Sequence, residues 1–263
     1  MRLATLINSP DDGDLVRDTL DSVLHHWTKH VLVTVDGACP HDPRLPVPHL
    51  KGFYCKSNRA PFRNVALGLE CLLGLYEADW YCYMDYDCLV ASDRVMGMLR
   101  SASGADLHML GNDGKLEHRY VPFVEEFVGH QPQQAYYLLG CCLFFSKKYM
   151  TRLKECDFFQ RFLIRTNGLD AGSLPGYRGH DISEHLYPTL ARAWGMRIGV
   201  LASWQGGVWH GSSAYYPMRF RPVLDAGEIG EDVCVMHPVK EVNSPIREKY
   251  REKRCMSRLQ PGS

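Results

Sequence analysis

The sequence predicts an α/β fold. A single domain over residues 1–235 carries a mixed, mostly parallel central sheet with helices on both faces, and a polar basic tail follows over 236–263. Three observations predict it. The chain opens as strand, helix, strand, and a parallel pair needs such a helical crossover. Residues 79–84, DWYCYM, form an almost wholly apolar run, as a strand covered on both faces requires. Strand-like and helix-like segments then keep alternating to about residue 204.

Each element has its own signal. RLATLIN (2–8) is a short apolar strand stopped by the turn cluster Asn8 to Gly13. DLVRDTLDSVLHHW places Leu15, Leu20, Val23 and Leu24 near one helical face, and HVLVTVD (30–36) returns as a β-branched strand ending at Asp36-Gly37. A proline- and histidine-rich loop (39–49) leads to a weaker strand, 51–56. Pro61 suits the first turn of a helix whose inward face is Phe62, Val65, Leu69, Leu72 and Leu73. After the strand DWYCYMDYDCLV, the segment ASDRVMGMLRSA predicts a helix capped by Ser92, and DLHMLGND another strand. Residues 114–138 have no clear period. AYYLLGCCLFFS reads as a core strand entering the helix KKYMTRLKE. A loop with four glycines (166–180) precedes a helix over 182–194, which Pro188 kinks or splits and Gly195 ends; MRIGVLASW is one more strand.

Composition narrows the function. The 30 basic and 30 acidic residues cancel, so the strongly basic footprint of a nucleic-acid binder is missing. Ten cysteines include no C-x-x-C pair, and several sit in apolar runs, as reduced structural thiols do. No run of about 18 apolar residues predicts a membrane span, and no signal-peptide pattern opens the sequence. The expectation is a cytoplasmic enzyme without a transmembrane segment. The basic stretch 247–258, six basic against two acidic residues, reads as a solvated terminal helix; contact with anionic lipid or an acidic partner is the other reading.

An open α/β sheet binds ligands at the carboxyl ends of its strands. Asp85-Tyr86-Asp87 stands at one such end. In an extended chain, residues i and i+2 point to the same side, about 6.6 Å apart. Two carboxylates about 5 Å apart at an effective dielectric near 20 repel by roughly 3 kcal/mol. A divalent cation with oxygen ligands offsets that and leaves positions open for phosphate oxygens. An acidic turn capping the next helix would explain the pair without a metal. The order of an apolar strand, Asp36 at a strand end, N-R-A-P-F-R-N-V-A-L-G-L and then YMDYDCLV resembles the GT-A fold glycosyltransferases, whose domain is Rossmann-like.

That resemblance implies a metal-dependent enzyme moving a sugar from a nucleoside diphosphate sugar to a hydroxyl acceptor, with Mn²⁺ or Mg²⁺ as cofactor. It implies that Asn8 to Asp11 border the nucleotide base, that Asp36 accepts hydrogen bonds from base or ribose, and that Asp85, Tyr86 and Asp87 meet the diphosphate. Asp87 and His210, in the motif V-W-H-G, are expected on the metal, with Asp85 reaching ribose, sugar or a metal-bound water. Asn58, Arg59, Arg63 and Asn64 flank a helix start that suits an anion, Arg63 foremost among them; a solvated helix face is the other reading. Asp181, in G-H-D-I-S-E, is expected to be the general base of an inverting reaction, although Asp181 and Glu184 also fit a capping-box spacing. SSAYYPMRFRP beyond His210 reads as a lid. A UDP-sugar donor is favoured, with GDP- and dTDP-sugars as alternatives, and the acceptor is a glycan, a lipid-linked or a small-molecule hydroxyl. A retaining glycosyltransferase, a sugar nucleotidyltransferase and a non-catalytic sugar- or nucleotide-binding module are the rival readings.

Overall fold

The computed structural model describes residues 1–40, 43–54, 61–169, 181–201, 203–205, 208–210, 218–220 and 233–259. Only the main chain is described at Asp113, Cys141, Asp181, 203–205, 208–210, 218–220 and Leu259. In chain order the strands are β1 (Leu3–Ser9), β2 (His30–Val35), β3 (His49–Lys51), β4 (Trp80–Asp85), β5 (Leu89–Val90), β6 (Met109–Glu117), β7 (Ala135–Ser146), β8 (Ile198–Val200), β9 (Ser203–Gln205), β10 (Val208–His210), β11 (Met218–Phe220) and β12 (Val235–His237). The helices are α1 (Asp14–His26), α2 (Pro61–Leu75), α3 (Arg94–Gly104), α4 (Val124–Val128), α5 (Lys147–Glu155), α6 (Phe158–Arg165), α7 (Asp181–Ala193) and α8 (Pro245–Leu259).

The central sheet has seven strands in the order β3-β2-β1-β4-β7-β6-β8. β1, β2, β3 and β4 run parallel; β7 is antiparallel to both β4 and β6, and β8 runs parallel to β6. The expected mixed, mostly parallel sheet is therefore present. Its strands alternate sides with period two, so each face builds its own core. Leu3 and Ile7, Val31, Val33 and Val35, and Trp80, Cys82 and Met84 pack under α1 and α3. Ala4 and Leu6, Leu32, and Tyr81 and Tyr83 pack under α2 and α4 to α7. Helices thus cover both faces, and the nearly continuous apolar character of β4 follows from that double burial.

Several local expectations change. β3 is His49–Lys51, not 51–56. Asp93, not Ser92, occupies the N-cap of α3, and its side chain makes no capping bond. Within 114–138, β6 continues to Glu117 and α4 follows. α7 runs without a break through Pro188, which removes the N–H that would donate to the Glu184 carbonyl. On α1 the buried stripe is Val16, Asp18, Thr19, Leu20, Ser22 and Val23, while Leu15 and Leu24 are only partly covered. This stripe is wide and polar on one side because α8 also packs on α1 there.

The boundary expected after residue 235 falls inside β12, and the segment beyond it is part of the fold. Leu89, Val233, Met236, Val239, Ile246 and Tyr250 form a third apolar cluster under α8. Arg247 and Arg254, expected on a solvated face, are 0% and 4% exposed. Among the described residues no cysteine is in a disulfide, and no helix is long and apolar enough to cross a membrane.

α2 lies close on the sheet because it presents Gly68 there. A Cβ at Gly68 would come within 2.6 Å of Leu6 Cδ1 and 2.8 Å of Thr34 Cγ2, whereas one at Gly74, on the same helix, meets nothing within 4 Å. Alanine gains roughly 1 kcal/mol over glycine in a helix interior, and overpacking costs about 1–3 kcal/mol. In urea unfolding, Gly74→Ala is expected to raise the midpoint and Gly68→Ala to lower it. Equal shifts would contradict this contact.

Candidate functional site

The carboxyl ends of β1, β2 and β4 open together into a cavity of about 480 Å³. The sheet register sets its floor. Asn8 on β1 pairs with Asp85 on β4 and with Thr34 on β2, whose hydroxyl donates to Asn8 Oδ1 at 2.9 Å. Asp36 follows β2 directly, lines the cavity, and accepts from the Ala38 N–H at 2.7 Å. Asn64 on α2 also lines the cavity and braces the adjoining strand end, accepting from Phe53 N at 2.7 Å. The opposite wall is the start of β7, with Tyr137, Leu139 and Gly140, and the first turn of α7, with Ser183 and Glu184.

Asp85, Tyr86 and Asp87 are not an extended strand. Asp85 ends β4, and the chain turns so that Cys88 N donates to the Asp85 carbonyl at 3.2 Å. Tyr86 N donates back to the Asn8 carbonyl, fixing the turn on β1. The two carboxylates converge on a residue absent from the sequence expectations. His237 Nε2 lies 3.0 Å from Asp87 Oδ1 and 3.5 Å from Asp85 Oδ2. The convergence follows from strand pairing. β12 runs antiparallel to β5, with Val235 opposite Val90 and Met236 opposite Leu89, so the next residue of β12 arrives beside the turn. Val239 N then donates to the Asp87 carbonyl at 2.9 Å. Lys240, just beyond, lines the same cavity.

The electrostatics suit cation binding. Burial pushes the Asp87 carboxyl up, but the close approach and charge of His237 and the charge of Lys240 outweigh it, leaving the group below the usual carboxylate range. Asp87 is therefore ionised at neutral pH. Burial, with Asp85 next to it, drives the Tyr83 phenol well above its usual range, so its hydroxyl stays protonated and donates to Asp85 Oδ1 at 2.7 Å. A metal ligand needs such orientation by its neighbours.

The residues fit a divalent ion. Asp87 Oδ1 is buried without a well-aligned hydrogen bond, although His237 Nε2 stands 3.0 Å away. The donor atoms lying within 4.8 Å of one another are those of Asp87, Cys88 and His237. Of these, Asp87 and His237 line the cavity, as does Asp85, whereas Cys88 does not. Two carboxylates and one imidazole form an oxygen–nitrogen set suited to Mn²⁺, and the carboxylates alone suit Mg²⁺.

The other sequence candidates divide. Asp36 and Asn8 line the cavity; Asp11 is not among the lining residues, and its Oδ1 accepts from Gly13 N. Arg63 does not line it either. Its guanidinium lies 3.9 Å over the Phe53 ring and donates to the Leu163 carbonyl, so it joins α2 to α6. Asp181 is the first residue of α7, but its side chain lies outside the described residues, as does that of His210 on β10. Asn58, Arg59, His180, Arg221 and most of the expected lid also lie outside them. Glu184 does not close a capping box with its Oε1, which accepts from Gly140 N at 2.7 Å. A Cβ on Gly140 would sit 2.7 Å from Glu184 Cγ, so glycine there lets the two elements meet.

His237, Lys240, Glu184, Tyr83 and Tyr137 were missed as site residues. For His237 a signal existed: Val233-Cys234-Val235-Met236 is an apolar run leading straight to a histidine, as WYCYM leads to Asp85.

The Tyr83 hydroxyl is one of the groups that orient Asp85. Tyr83→Phe is expected to weaken Mn²⁺ binding about 10- to 100-fold in a direct titration. Unchanged affinity would mean that this hydrogen bond does not orient the carboxylate.

No protein-family model and no curated protein sequence matches the chain. Among solved structures it is similar to a glycosyltransferase involved in glycosylation of the major capsid of the virus PBCV-1 (12% identity, TM-score 0.47, covering 96% of this chain and 99% of that one). It is also similar to a mannosyltransferase from Pyrobaculum calidifontis in complex with GDP-Man and Mn²⁺ (11% identity, TM-score 0.43, covering 100% of this chain). The chain spans only 65% of that mannosyltransferase. A third similar structure is an active-site mutant of LgtC (14% identity, TM-score 0.46, covering 96% and 95%).

Proposed function

We propose that the chain is a glycosyltransferase that uses a divalent metal ion, Mn²⁺ or Mg²⁺, to transfer a sugar from a nucleoside diphosphate sugar to a hydroxyl acceptor. The observation that carries this reading is the convergence of Asp85, Asp87 and His237, beside Lys240, at the mouth of a cavity built on the carboxyl ends of β1, β2 and β4.

The residues divide the work along the cavity. Asn8 and Asp36 face the end where a nucleoside would rest, and the Asp36 carboxylate accepts hydrogen bonds from base or ribose. Tyr86 offers an aromatic flank beside them. Asp87 and His237 would hold the ion, with Asp85 beside them. When bound, the ion supplies positive charge against the charge that grows on the leaving diphosphate. Lys240 adds a fixed cation to the same wall. His210 remains a candidate ligand from a separate segment. The acceptor enters from the side of Tyr137 and α7. Its oxygen attacks the anomeric carbon, the bond from that carbon to the diphosphate oxygen breaks, and the hydroxyl proton passes to a carboxylate. Asp181, at the start of α7, is the proposed base of an inverting reaction. Glu184 lines the cavity from the same first turn but holds Gly140. A UDP-sugar is the first donor to test.

Titration of UDP and GDP with and without Mn²⁺ tests the reading. At least one nucleotide is expected to bind tenfold or more tightly with Mn²⁺, and Asp87→Asn and His237→Ala are each expected to abolish that gain. Binding that ignores the metal would favour a module without transferase chemistry. Turnover of a donor sugar, followed by proton NMR of the product, reports its anomeric configuration; retention would remove Asp181 from the base role.

A further inference from the structure

Arg247 is second only to Trp80 in size among the fully buried side chains, and it comes from the segment read in sequence as a solvated basic helix. A guanidinium without solvent must spend its donors on protein groups. Those of Arg247 reach three segments, two of them distant in sequence. Nη1 donates to Asp18 Oδ2 on α1 at 2.7 Å. Nη2 donates to the Cys88 carbonyl at 3.0 Å and to Thr19 Oγ1 at 3.3 Å. Nε donates to the Val239 carbonyl at 3.0 Å.

Both carbonyls border the site. Cys88 follows Asp87, and Val239 lies between His237 and Lys240. One rigid planar group is thus bonded at once to the turn that carries the carboxylates and to the loop that carries the imidazole. Thr19 reinforces the grip, its hydroxyl lying 2.5 Å from the Tyr86 carbonyl and 2.7 Å from that of Cys88. Neutralising Asp18 does not by itself call for this arrangement. Arg254 also binds Asp18, Nη2 to Oδ1 at 2.5 Å, and none of its described hydrogen bonds reaches the turn or the loop.

We propose that Arg247 is a positioning residue for the metal centre: its guanidinium fixes the spacing between the Asp85–Asp87 turn and the His237–Lys240 loop, so that helix α8 belongs to the active site without touching substrate. The proposal rests on the metal-dependent reading above and deepens it. Arg247→Lys keeps a cation against Asp18 but removes the planar fork that bridges both carbonyls.

The test compares the full-length chain with Arg247→Lys, Arg254→Lys and Thr19→Val. Free Mn²⁺ is read by its paramagnetic resonance signal without nucleotide, alongside melting temperature and hydrogen exchange at the Val239 amide. Arg247→Lys is expected to lose about 10- to 100-fold in Mn²⁺ affinity and to exchange Val239 faster. Arg254→Lys is expected to lower the melting temperature and leave Mn²⁺ affinity within twofold. Thr19→Val leaves the Arg247–Asp18 pair and both carbonyl bonds of Arg247 and removes only the hydroxyl that shares Nη2, so it is expected to weaken Mn²⁺ more than twofold but less than Arg247→Lys does; it carries the test if Arg247→Lys fails to fold, and affinity within twofold of wild type would then overturn the positioning role. Mn²⁺ affinity within twofold of wild type in Arg247→Lys, or equal losses in Arg247→Lys and Arg254→Lys, would overturn the positioning role. A wild-type chain that binds no Mn²⁺ would overturn the metal reading itself and the positioning role with it.

Discussion

The antiparallel pairing of β5 with β12 is the constraint on which the site depends. β5 is only Leu89–Val90, and β12 only Val235–His237, yet their register brings His237 beside Asp87. So short a ladder cannot hold itself. The cluster of Leu89, Met236, Val239, Ile246 and Tyr250 buries it, and the buried Asp18–Arg247 pair ties α8 behind it to α1. Removing one partner of a buried ion pair leaves an uncompensated charge, at a cost of about 3–5 kcal/mol. The C-terminal helix is therefore locked to the strands that present the carboxylates.

The second constraint is charge. Asp85 and Asp87 at the mouth of an apolar strand repel one another, and Asp36 and Glu184 bring the carboxylates lining the same cavity to four. Three groups oppose that excess: the Tyr83 hydroxyl on Asp85, His237 between the pair, and Lys240 at the rim. Lys240 is the one lysine or arginine among the described residues lining the cavity, so carboxylates outnumber cations there. A cavity of about 480 Å³ with that residual negative charge at one end suits a cation and an anionic ligand together.

Much of the fold was legible because its signals are local. β1, β2 and β4 are apolar runs ended by turn residues or carboxylates, and their parallel arrangement brought Asn8, Asp36 and Asp85 to one edge. The Asp-Tyr-Asp triplet was legible for the same reason, although its shape is a turn. What stayed hidden depends on contacts across the chain. His237 meets Asp87 through pairing with β5, whose Val90 lies 145 residues before its partner Val235, and a three-residue strand has too little period to read. Arg63 looked like an anion ligand because a helix start and a charge coincide, but the Phe53 ring captures its guanidinium. The alternation of charges in 247–258 looked solvated because sequence cannot show that Asp18 and two backbone carbonyls await two of those arginines.

The central claim is that the turn after β4 and the loop after β12 form one metal centre. Crystals grown with Mn²⁺ and a nucleoside diphosphate, measured at the manganese absorption edge, test it most directly. The account predicts an anomalous peak in direct contact with Asp87 Oδ1 and His237 Nε2, with diphosphate oxygens on its open side. A peak bound by neither residue, or nucleotide in the cavity with no metal beside it, would contradict it.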